Sequence, residues 1–561
     1  MPRRSAPAGP PTMAELRETL WKAADKLRGS MDAAQYRDFV LGLVFLKYVS
    51  DAFAERRDAI GRELRAEGTP GARIQEILDD RARYLDEGQF WVPEHARWGF
   101  LTAHATSGDI GERIDAALDA LMRENDALTG VIPKIFAGPG VDQRRLGELV
   151  RLLGDARFTG HLADAAQPPA DGSAVESPAA SGAAARGAAA TRSARDVLGE
   201  VYEYFLDTFA RAEGRRGGEF YTPRSVVRLM VEIMEPYQGR VYDPCCGSGG
   251  MFVQAEKFLD QHVGARQQGD IRVYGQELNE RTWRLATMNL AIHGIAGNLG
   301  ERWDDAFRAD RHPDLRADFI LANPPFNMSD WARTVDDPRW RYGVPPAGNA
   351  NFAWIQHIVA KLAPDGAAGI VMANGSMSAR QSGEGEIRAA LVEDDLVACM
   401  VALPAQLFRS TQIPACLWFL ARNKAPVGGR ARADRRGETL FIDARAMGSM
   451  TDRTERVLTS ADIAAIAGAY HAWRGTASAR DQGRGYADIP GFCFSATTAQ
   501  IRAHGHILTA ARYVGACEPT PLDDEPITEK ITRLSAELLA QFDESARVHE
   551  NVRAQLARLE P

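Results

Sequence analysis

The chain has 561 residues, 45% of them hydrophobic and 25% charged, so it is long enough for two or more globular domains. Its formal net charge of −8 argues against a protein that holds duplex DNA by its own overall charge, since neutralising phosphates usually requires a basic surface. The residues after Met1 lack the apolar segment of a signal peptide, and the apolar run 39–49 is too short for a membrane span and contains Lys47. We therefore expect a cytoplasmic protein that does not enter membranes.

Two segments of different composition open the chain. Apolar residues at helical spacing, such as Trp21, Ala24 and Leu27, predict an amino-terminal helical domain over residues 13–164. Residues 165–193 are rich in Ala, Pro, Gly and Ser and have almost no large apolar side chains, which predicts a flexible linker.

The next segment leads into a capped helix. An amphipathic helix is predicted over 194–210, and the run Gly-Glu-Phe-Tyr-Thr-Pro-Arg follows at 218–224. Thr222 and Pro223 are expected to be the N-cap and the first residue of a helix that continues to Met234.

A glycine-rich turn then follows a predicted strand. The run 241–252 begins with apolar residues, passes Asp243 and continues through Cys-Cys-Gly-Ser-Gly-Gly into a helix. Glycines let a backbone approach a ligand closely, yet the run has neither the Lys-Ser/Thr of a phosphate-binding P-loop nor the G-x-G-x-x-G spacing. One strand and helix later, Glu277 ends the run 273–277, where a carboxylate suits the hydroxyl groups of a ribose.

The most informative run is Asn323-Pro324-Pro325-Phe326, which closes the apolar strand predicted over 318–322. Proline cannot continue a strand ladder, so Asn323 and Phe326 should lie at the carboxyl edge of the sheet, where ligands bind in open α/β folds. The Asn323 side-chain oxygen and the Pro324 carbonyl suit the exocyclic amino group of a planar base, and the Phe326 ring suits its face.

The rest of the chain predicts more sheet and then a tail. Further strands are expected over 370–373, 397–403, 415–420 and 440–443, and alternation with helices indicates a parallel, doubly wound sheet within a domain over 194–500. Residues 501–561 are expected to form a helical tail with an apolar stripe.

Cysteine and histidine spacing gives no metal signal. The six cysteines include the adjacent pair Cys245-Cys246, which we interpret as small fillers between the strand and the glycine turn, and the histidines form no H-E-x-x-H pattern. We therefore predict no metal.

The order of these segments resembles the methyltransferases that act on adenine N6, and most closely the methylation subunit of type I restriction–modification systems. Runs 20–29 and 45–51 look like that family's amino-terminal helical domain, and runs 351–354 and 510–514 extend the likeness downstream. The resemblance implies an α/β fold, with a Rossmann-like S-adenosylmethionine-dependent methyltransferase domain, an all-helical amino-terminal domain and a helical carboxy-terminal tail that serves subunit assembly.

The resemblance also assigns roles. Catalysis falls to the motif Asn323, Pro324, Pro325 and Phe326, acting on an adenine flipped out of the duplex. S-adenosylmethionine would be bound by Glu219, Phe220, Tyr221, Thr222, Pro223, Arg224, Asp243, Gly247, Ser248, Gly249, Gly250 and Glu277. Asp304 and Asp305 could contact the cofactor adenine or form a solvated turn. The implied partners are double-stranded DNA, a specificity subunit that reads the target and binds two copies of this chain, and in some assemblies a restriction subunit.

Alternatives remain open at this stage. The tetrapeptide also suits N4 of cytosine, an RNA guanine or a protein glutamine, although enzymes of the last two kinds generally lack the helical regions predicted here. A non-catalytic scaffold of the same fold is a further alternative.

Overall fold

The computed structural model describes residues 33–155 (without 88 and 139), 202, 222–262, 271–408, 414–426, 433–451, 455–476 and 485–515, with a few positions between 532 and 547. The predicted linker, Glu219, Phe220, Tyr221 and all of the apolar stripe of the predicted tail except Phe542 lie outside the described residues. Within these ranges, no helix has the length and apolar composition needed to cross a membrane.

The described part of the amino-terminal region is helical, as predicted. Its helices are α1 (Ala33–Ala66), α2 (Gly71–Leu78), α3 (Arg81–Asp86), α4 (Trp98–Ala103), α5 (Ile110–Glu124) and α6 (Gln143–Asp155). Their apolar faces share one core, to which α1 contributes Phe45, α5 Leu121 and α6 Leu149. Glycine permits the closest helix approach, because a Cβ at Gly147 would lie 1.8 Å from the Ala105 carbonyl oxygen.

A nine-stranded sheet forms the second unit, in the order β11-β8-β6-β7-β5-β4-β1-β2-β3. The strands are β1 (Gly239–Asp243), β2 (Ile271–Gly275), β3 (Gly297–Asn298), β4 (Ala317–Ala322), β5 (Leu362–Ala373), β6 (Val397–Ala402), β7 (Ala415–Ala421), β8 (Glu438–Asp443) and β11 (Cys493–Thr497). A separate small ribbon pairs β9 (Ser449–Met450) with β10 (Arg456–Val457).

Helices cover the sheet and connect its strands. They are α7 (Arg224–Met234), α8 (Gly250–His262), α9 (Glu280–His293), α10 (Asn351–Lys361), α11 (Glu384–Glu393), α12 (Ser460–Arg474) and α13 (Thr498–Ala503). Strand β1 pairs in parallel with β2 on one side and with β4 on the other. The chain order therefore reverses at β1, which leaves a crevice beyond the carboxyl ends of these strands.

The prediction of a wholly parallel sheet was wrong. Strand β7 runs antiparallel to both β5 and β6, and β11 runs antiparallel to β8. Only residues 403–414 separate β6 from β7, and among those that the structure describes there is no helix. A parallel connection needs a long crossover, usually helical, so the chain turns back instead.

Residues beyond 500 belong to this sheet unit. Ile501 and Leu508 are fully buried against it, and the Tyr513 ring stacks on Phe441 of β8 with centroids 3.9 Å apart. The packed unit therefore continues to Val514, past the boundary expected at residue 500.

Helix α9 joins the two units. Its residues Leu285, Met288 and Ile292 pack into the core of the helical domain, while Ala286 and Leu290 face the sheet core. Arg281 also pairs with Asp38 of α1 at 2.7 Å. The helical domain is thus fixed to the helix that follows Glu277.

Replacing Gly147 by Ala should destabilise the helical domain, because the new methyl group would overlap the Ala105 backbone. We expect a loss of about 1–3 kcal/mol or more, measured by urea unfolding of the full chain. Gly99→Ala on α4 is the matched control, since a Cβ there meets nothing within 4 Å. The free energy of unfolding of this control should rise above that of the wild type by no more than about 1 kcal/mol. Equal stability of the two variants would contradict the packing described.

Candidate active site

A cavity of about 630 Å³ lies at the carboxyl ends of β1, β2 and β4. Most of the residues predicted for a site lie together here: the lining includes Thr222, Asp243, Gly247, Ser248, Gly250, Glu277, Asn323, Pro325 and Phe326. Pro223, Arg224, Gly249 and Pro324 adjoin the lining residues in the chain but are not part of it. The sequence signals that lie far apart in the chain therefore converge on one cavity.

Glu277 organises the glycine-rich turn. Its carboxylate accepts hydrogen bonds from the Gly247 amide at 3.1 Å and the Asn279 amide at 2.9 Å. Gly247 has φ of 54°, a left-handed conformation that glycine adopts without strain. Two backbone bonds, from Cys246 to the Gln276 carbonyl and from Gln276 to the Asp243 carbonyl, fix the turn against the end of β2.

The two other glycines of the turn differ in their roles. Gly249 also has a left-handed φ, of 80°, but a Cβ there would point at Ala286 of α9, 3.7 Å away. Gly249 therefore shapes the turn without lining the cavity. Gly250 lines the cavity, and a Cβ there would meet nothing within 4 Å. A side chain at Gly250 would consequently occupy open space.

Burial sets the electrostatics of the cavity. It raises the pKa of Asp243 to about 7, although a hydrogen bond from the Cys245 amide favours the charged form. Burial also raises the pKa of Glu277, against the opposing effect of the backbone amides of Asn279 and Gly247. The cavity therefore holds two carboxyl groups that would gain from a ligand with hydroxyl or cationic groups.

Asn323 leaves β4 with its amide buried in the cavity wall. Its Nδ2 donates to the Thr222 hydroxyl at 2.9 Å, while its Oδ1 is buried and accepts no hydrogen bond within the described part of the chain. Helix α7 begins at Arg224 with Pro223 at its N-cap, so the prediction that Thr222 caps the helix was wrong. Thr222 orients Asn323 instead. A buried, unpaired acceptor is costly, so Oδ1 is suited to a donor supplied by a ligand.

Phe326 is half-buried beside Asn323. The ring of Phe408, which follows β6, packs against it edge to face at 6.1 Å and 67° between planes. Phe408 was missed in the sequence because no motif marks it. Topology offers a signal, since β6 is parallel to the strands of the crevice and ends at the same edge.

Gln276 was also missed, and it connects three segments of the wall. It is fully buried, and its side chain donates to the carbonyls of Asp304 at 3.1 Å and Ala309 at 2.8 Å and accepts from the Arg311 amide at 3.1 Å. Asp304 and Asp305 line the cavity as a result. Asp304 pairs with Arg311, and Asp305 accepts from the Phe307 amide at 2.8 Å.

Comparison with known proteins agrees with this geometry. The sequence profile of the N-6 DNA Methylase family matches residues 193–520, and that of the HsdM N-terminal domain matches residues 16–153. The chain is 45% identical to the type I restriction enzyme HindI methylase subunit of Haemophilus influenzae, over 80% of this chain and 93% of the relative. It is 35% identical to the MjaIX methylase subunit of Methanocaldococcus jannaschii, over 96% and 90%.

A solved structure extends the likeness. The type I restriction–modification methyltransferase subunit from Streptococcus thermophilus superimposes with a TM-score of 0.68 at 25% identity, covering 90% of this chain and all of that one. The fold and the crevice define a methyltransferase of the Rossmann-like class. The chain belongs to the N-6 DNA methylase family, among the methylase subunits of type I restriction–modification systems.

Asp243→Asn should stabilise the ligand-free protein at neutral pH. The folded-state pKa of about 7 lies above the ordinary value of 3.8, so the folded chain keeps a proton that the unfolded chain has released. The stability contributed by this group is full below about pH 4 and is lost as the pH rises to about 7. We expect the free energy of unfolding of the variant, measured with urea, to exceed that of the wild type by roughly 1–3 kcal/mol at pH 8 and by much less at pH 4. A difference between variant and wild type that does not change with pH would contradict this assignment.

Proposed function

We propose that this chain transfers the methyl group of S-adenosylmethionine to the N6 amino group of an adenine flipped out of duplex DNA. The observation that carries this proposal is Asn323 Oδ1, which is buried beside the Phe326 ring and has no hydrogen-bond partner among the described residues, at the edge of a cavity that also contains two buried carboxyl groups. An amide acceptor and an aromatic face are what an exocyclic amine on a planar ring requires.

The residues present fit S-adenosylmethionine. Glu277 lies two residues after the end of β2, where a carboxylate suits the two ribose hydroxyls, and each of its oxygens retains acceptor capacity beyond its backbone bond. Asp243, Gly247, Ser248 and Gly250 border the space for the methionine part, and Asp304 and Asp305 border the space for the adenine ring. When bound, this cofactor supplies an activated methyl group on a sulfonium. Glu219, Phe220 and Tyr221 lie outside the described residues, and their role as a cover over the cofactor remains part of the proposal.

Asn323 acts in the reaction as a hydrogen-bond acceptor for the amino group of the base. The N6 lone pair is delocalised into the adenine ring, so two acceptors on its N–H bonds favour a pyramidal nitrogen with a directed lone pair. Asn323 Oδ1 would be the first acceptor and the Pro324 carbonyl the second. Bound S-adenosylmethionine would supply the methyl group and keep the carbon–sulfur electrons, while Asn323 Oδ1 and the Pro324 carbonyl would hold the N–H bonds of the amine until the displaced proton passes to water. Positioning and preorganised dipoles suffice, without a covalent enzyme intermediate.

Target recognition would come from a partner. The net charge of −8 makes strong binding of DNA by this chain alone unfavourable. We propose that a specificity subunit reads the DNA and binds two copies of this chain, that a restriction subunit joins some assemblies, and that the complex works in the cytoplasm.

Asn323→Ala should lower kcat for methyl transfer by about 10²-fold or more, because one preorganised polar contact to the reacting amine is lost. The dissociation constant for S-adenosylmethionine, measured by calorimetry, should stay within about threefold, since Asn323 is assigned to the base. Asn423→Ala is the control, because Asn423 follows β7, is bonded to Asp365 and does not line the cavity. A variant at position 323 with wild-type turnover would disprove the assignment.

Gly250→Val should weaken S-adenosylmethionine binding without unfolding the chain. The side chain would enter open space in the cavity, and the backbone conformation there does not require glycine. A loss of about tenfold or more in calorimetric affinity is expected for an obstructing side chain. Gly108→Val, at an open surface position of the helical domain, should bind normally. Equal affinity in the two variants would place the cofactor elsewhere.

Deleting the residues after Asp523 should separate catalysis from assembly. Ile531, Leu534 and Leu538 recur at helical spacing beyond a proline-rich stretch, as in a helix that offers an apolar seam to a partner. The truncated chain should still bind S-adenosylmethionine but should not co-elute with the specificity subunit in size-exclusion chromatography. Normal co-elution would refute the role of the tail.

A further inference from the structure

The chain makes an unusual exit from the Asn-Pro-Pro-Phe motif. Asn327, directly after Phe326, has a left-handed φ of 54°, a conformation that asparagine tolerates better than most residues. The chain then runs through residues 328–350 without helix or strand before α10 begins at Asn351. The segment therefore leaves and re-enters the fold beside the candidate active site.

Three hydrogen bonds close the base of this segment, and a fourth is local to residues 349–351. The Asn327 amide donates to Asn351 Oδ1 at 3.0 Å, and Asn351 Nδ2 donates to Asn327 Oδ1 at 2.9 Å. The Ala350 amide donates to the Met328 carbonyl at 2.9 Å, and the Asn351 amide donates to Asn349 Oδ1 at 2.9 Å. We call the pair Asn327–Asn351 the asparagine clamp, because each side chain contacts the other segment.

The clamp holds one wall of the cavity. Residues 327–330 follow Phe326 and line the same cavity as the glycine-rich turn. Their side chains have no strand or helix of their own to fix them, and Asn351 is the anchor: it is 2% exposed and begins a helix whose next residue, Phe352, is fully buried.

An aromatic cluster completes the support. Trp331 and Trp340, within the segment, pack on Phe307, and Trp354 of α10 packs on the same ring at 4.4 Å. Trp354 also lines the cavity. The middle of the segment is therefore held by aromatic packing on Phe307, and the clamp holds its two ends, next to Phe326 and α10.

We propose that Asn327 and Asn351 are positioning residues for the target base: the clamp fixes Phe326 and residues 327–330 as the wall against which the flipped base rests. This inference rests on the proposed function and deepens it. Neither asparagine is assigned a contact with the reacting nitrogen. Asn327 adopts the left-handed turn, and its Oδ1 accepts the hydrogen bond from Asn351. Asn351, at the start of α10, links the cavity wall to that helix.

The test uses the complex of the full chain with its specificity subunit and two target DNAs. Unmodified DNA reports turnover, and DNA with the fluorescent analogue 2-aminopurine at the target adenine, which lacks the N6 amino group, reports base flipping. Asn327→Gly keeps the left-handed backbone but removes the side chain, and Asn351→Ala removes the other half of the clamp. We expect each variant to lower kcat by about tenfold to a hundredfold, since small misplacements of a bound group have costs of this size. The increase in aminopurine fluorescence that accompanies base flipping should also be smaller in each variant.

Two readouts separate positioning from loss of structure. The calorimetric dissociation constant for S-adenosylmethionine should stay within about threefold of wild type, and the double variant should lose no more than the worse single variant, since both changes break the same link. Wild-type kcat in both single variants would overturn the clamp. A parallel loss of cofactor affinity would also overturn it, in favour of a general structural role. A wild-type complex that flips no base and methylates no adenine would instead refute the proposed function, and the clamp with it.

Discussion

Strand β4 cannot continue past Asn323, because the next two residues are prolines, which lack the backbone N–H that a ladder needs. The strand lies directly beside β1, at the position where the order of the sheet reverses. The forced ending therefore places Asn323 and Phe326 at the mouth of the crevice, facing the glycine-rich turn that follows β1. The other features of the site depend on this placement, since Thr222, Phe408 and Asn351 all act on residues 323–327.

Hydrogen bonds from buried side chains fix the other segments of the crevice in position. Glu277 bonds the glycine-rich turn, and Gln276 bonds the segment that carries Asp304. Satisfied networks of this kind are rigid, because each member would be costly to leave unpaired in a buried site. Helix α9 begins three residues after Glu277. It contacts the helical domain through Met288, which packs into that domain's core, and through the Arg281–Asp38 ion pair. The described part of the amino-terminal domain thus supports the cavity without lining it.

The positions of the strands around the crevice were predicted from the sequence better than strand directions and long-range contacts. Apolar runs marked β1, β2 and β4 to within two residues, because a buried parallel strand is recognisable from composition and from the residues that end it. The range of β7 was predicted but its antiparallel direction was not, because strand direction depends on the connection and apolar content carries no direction. Ile501 and Tyr513 were assigned to a tail because a short helix and a loop packed on a sheet have no periodicity long enough to reveal it. Gln276, Phe408 and the Asn327–Asn351 bonds were missed for a related reason: their partners are distant in the chain, and only the fold brings them together.

The identity of the methylated base tests the central claim most directly. The purified complex with its specificity subunit would be incubated with isotopically methyl-labelled S-adenosylmethionine and target DNA, and the DNA would be digested to nucleosides and separated by mass spectrometry. The account predicts that the label appears in N6-methyladenine. Label in N4-methylcytosine, or its absence from DNA when the cofactor binds normally, would contradict the role given to Asn323 and Phe326.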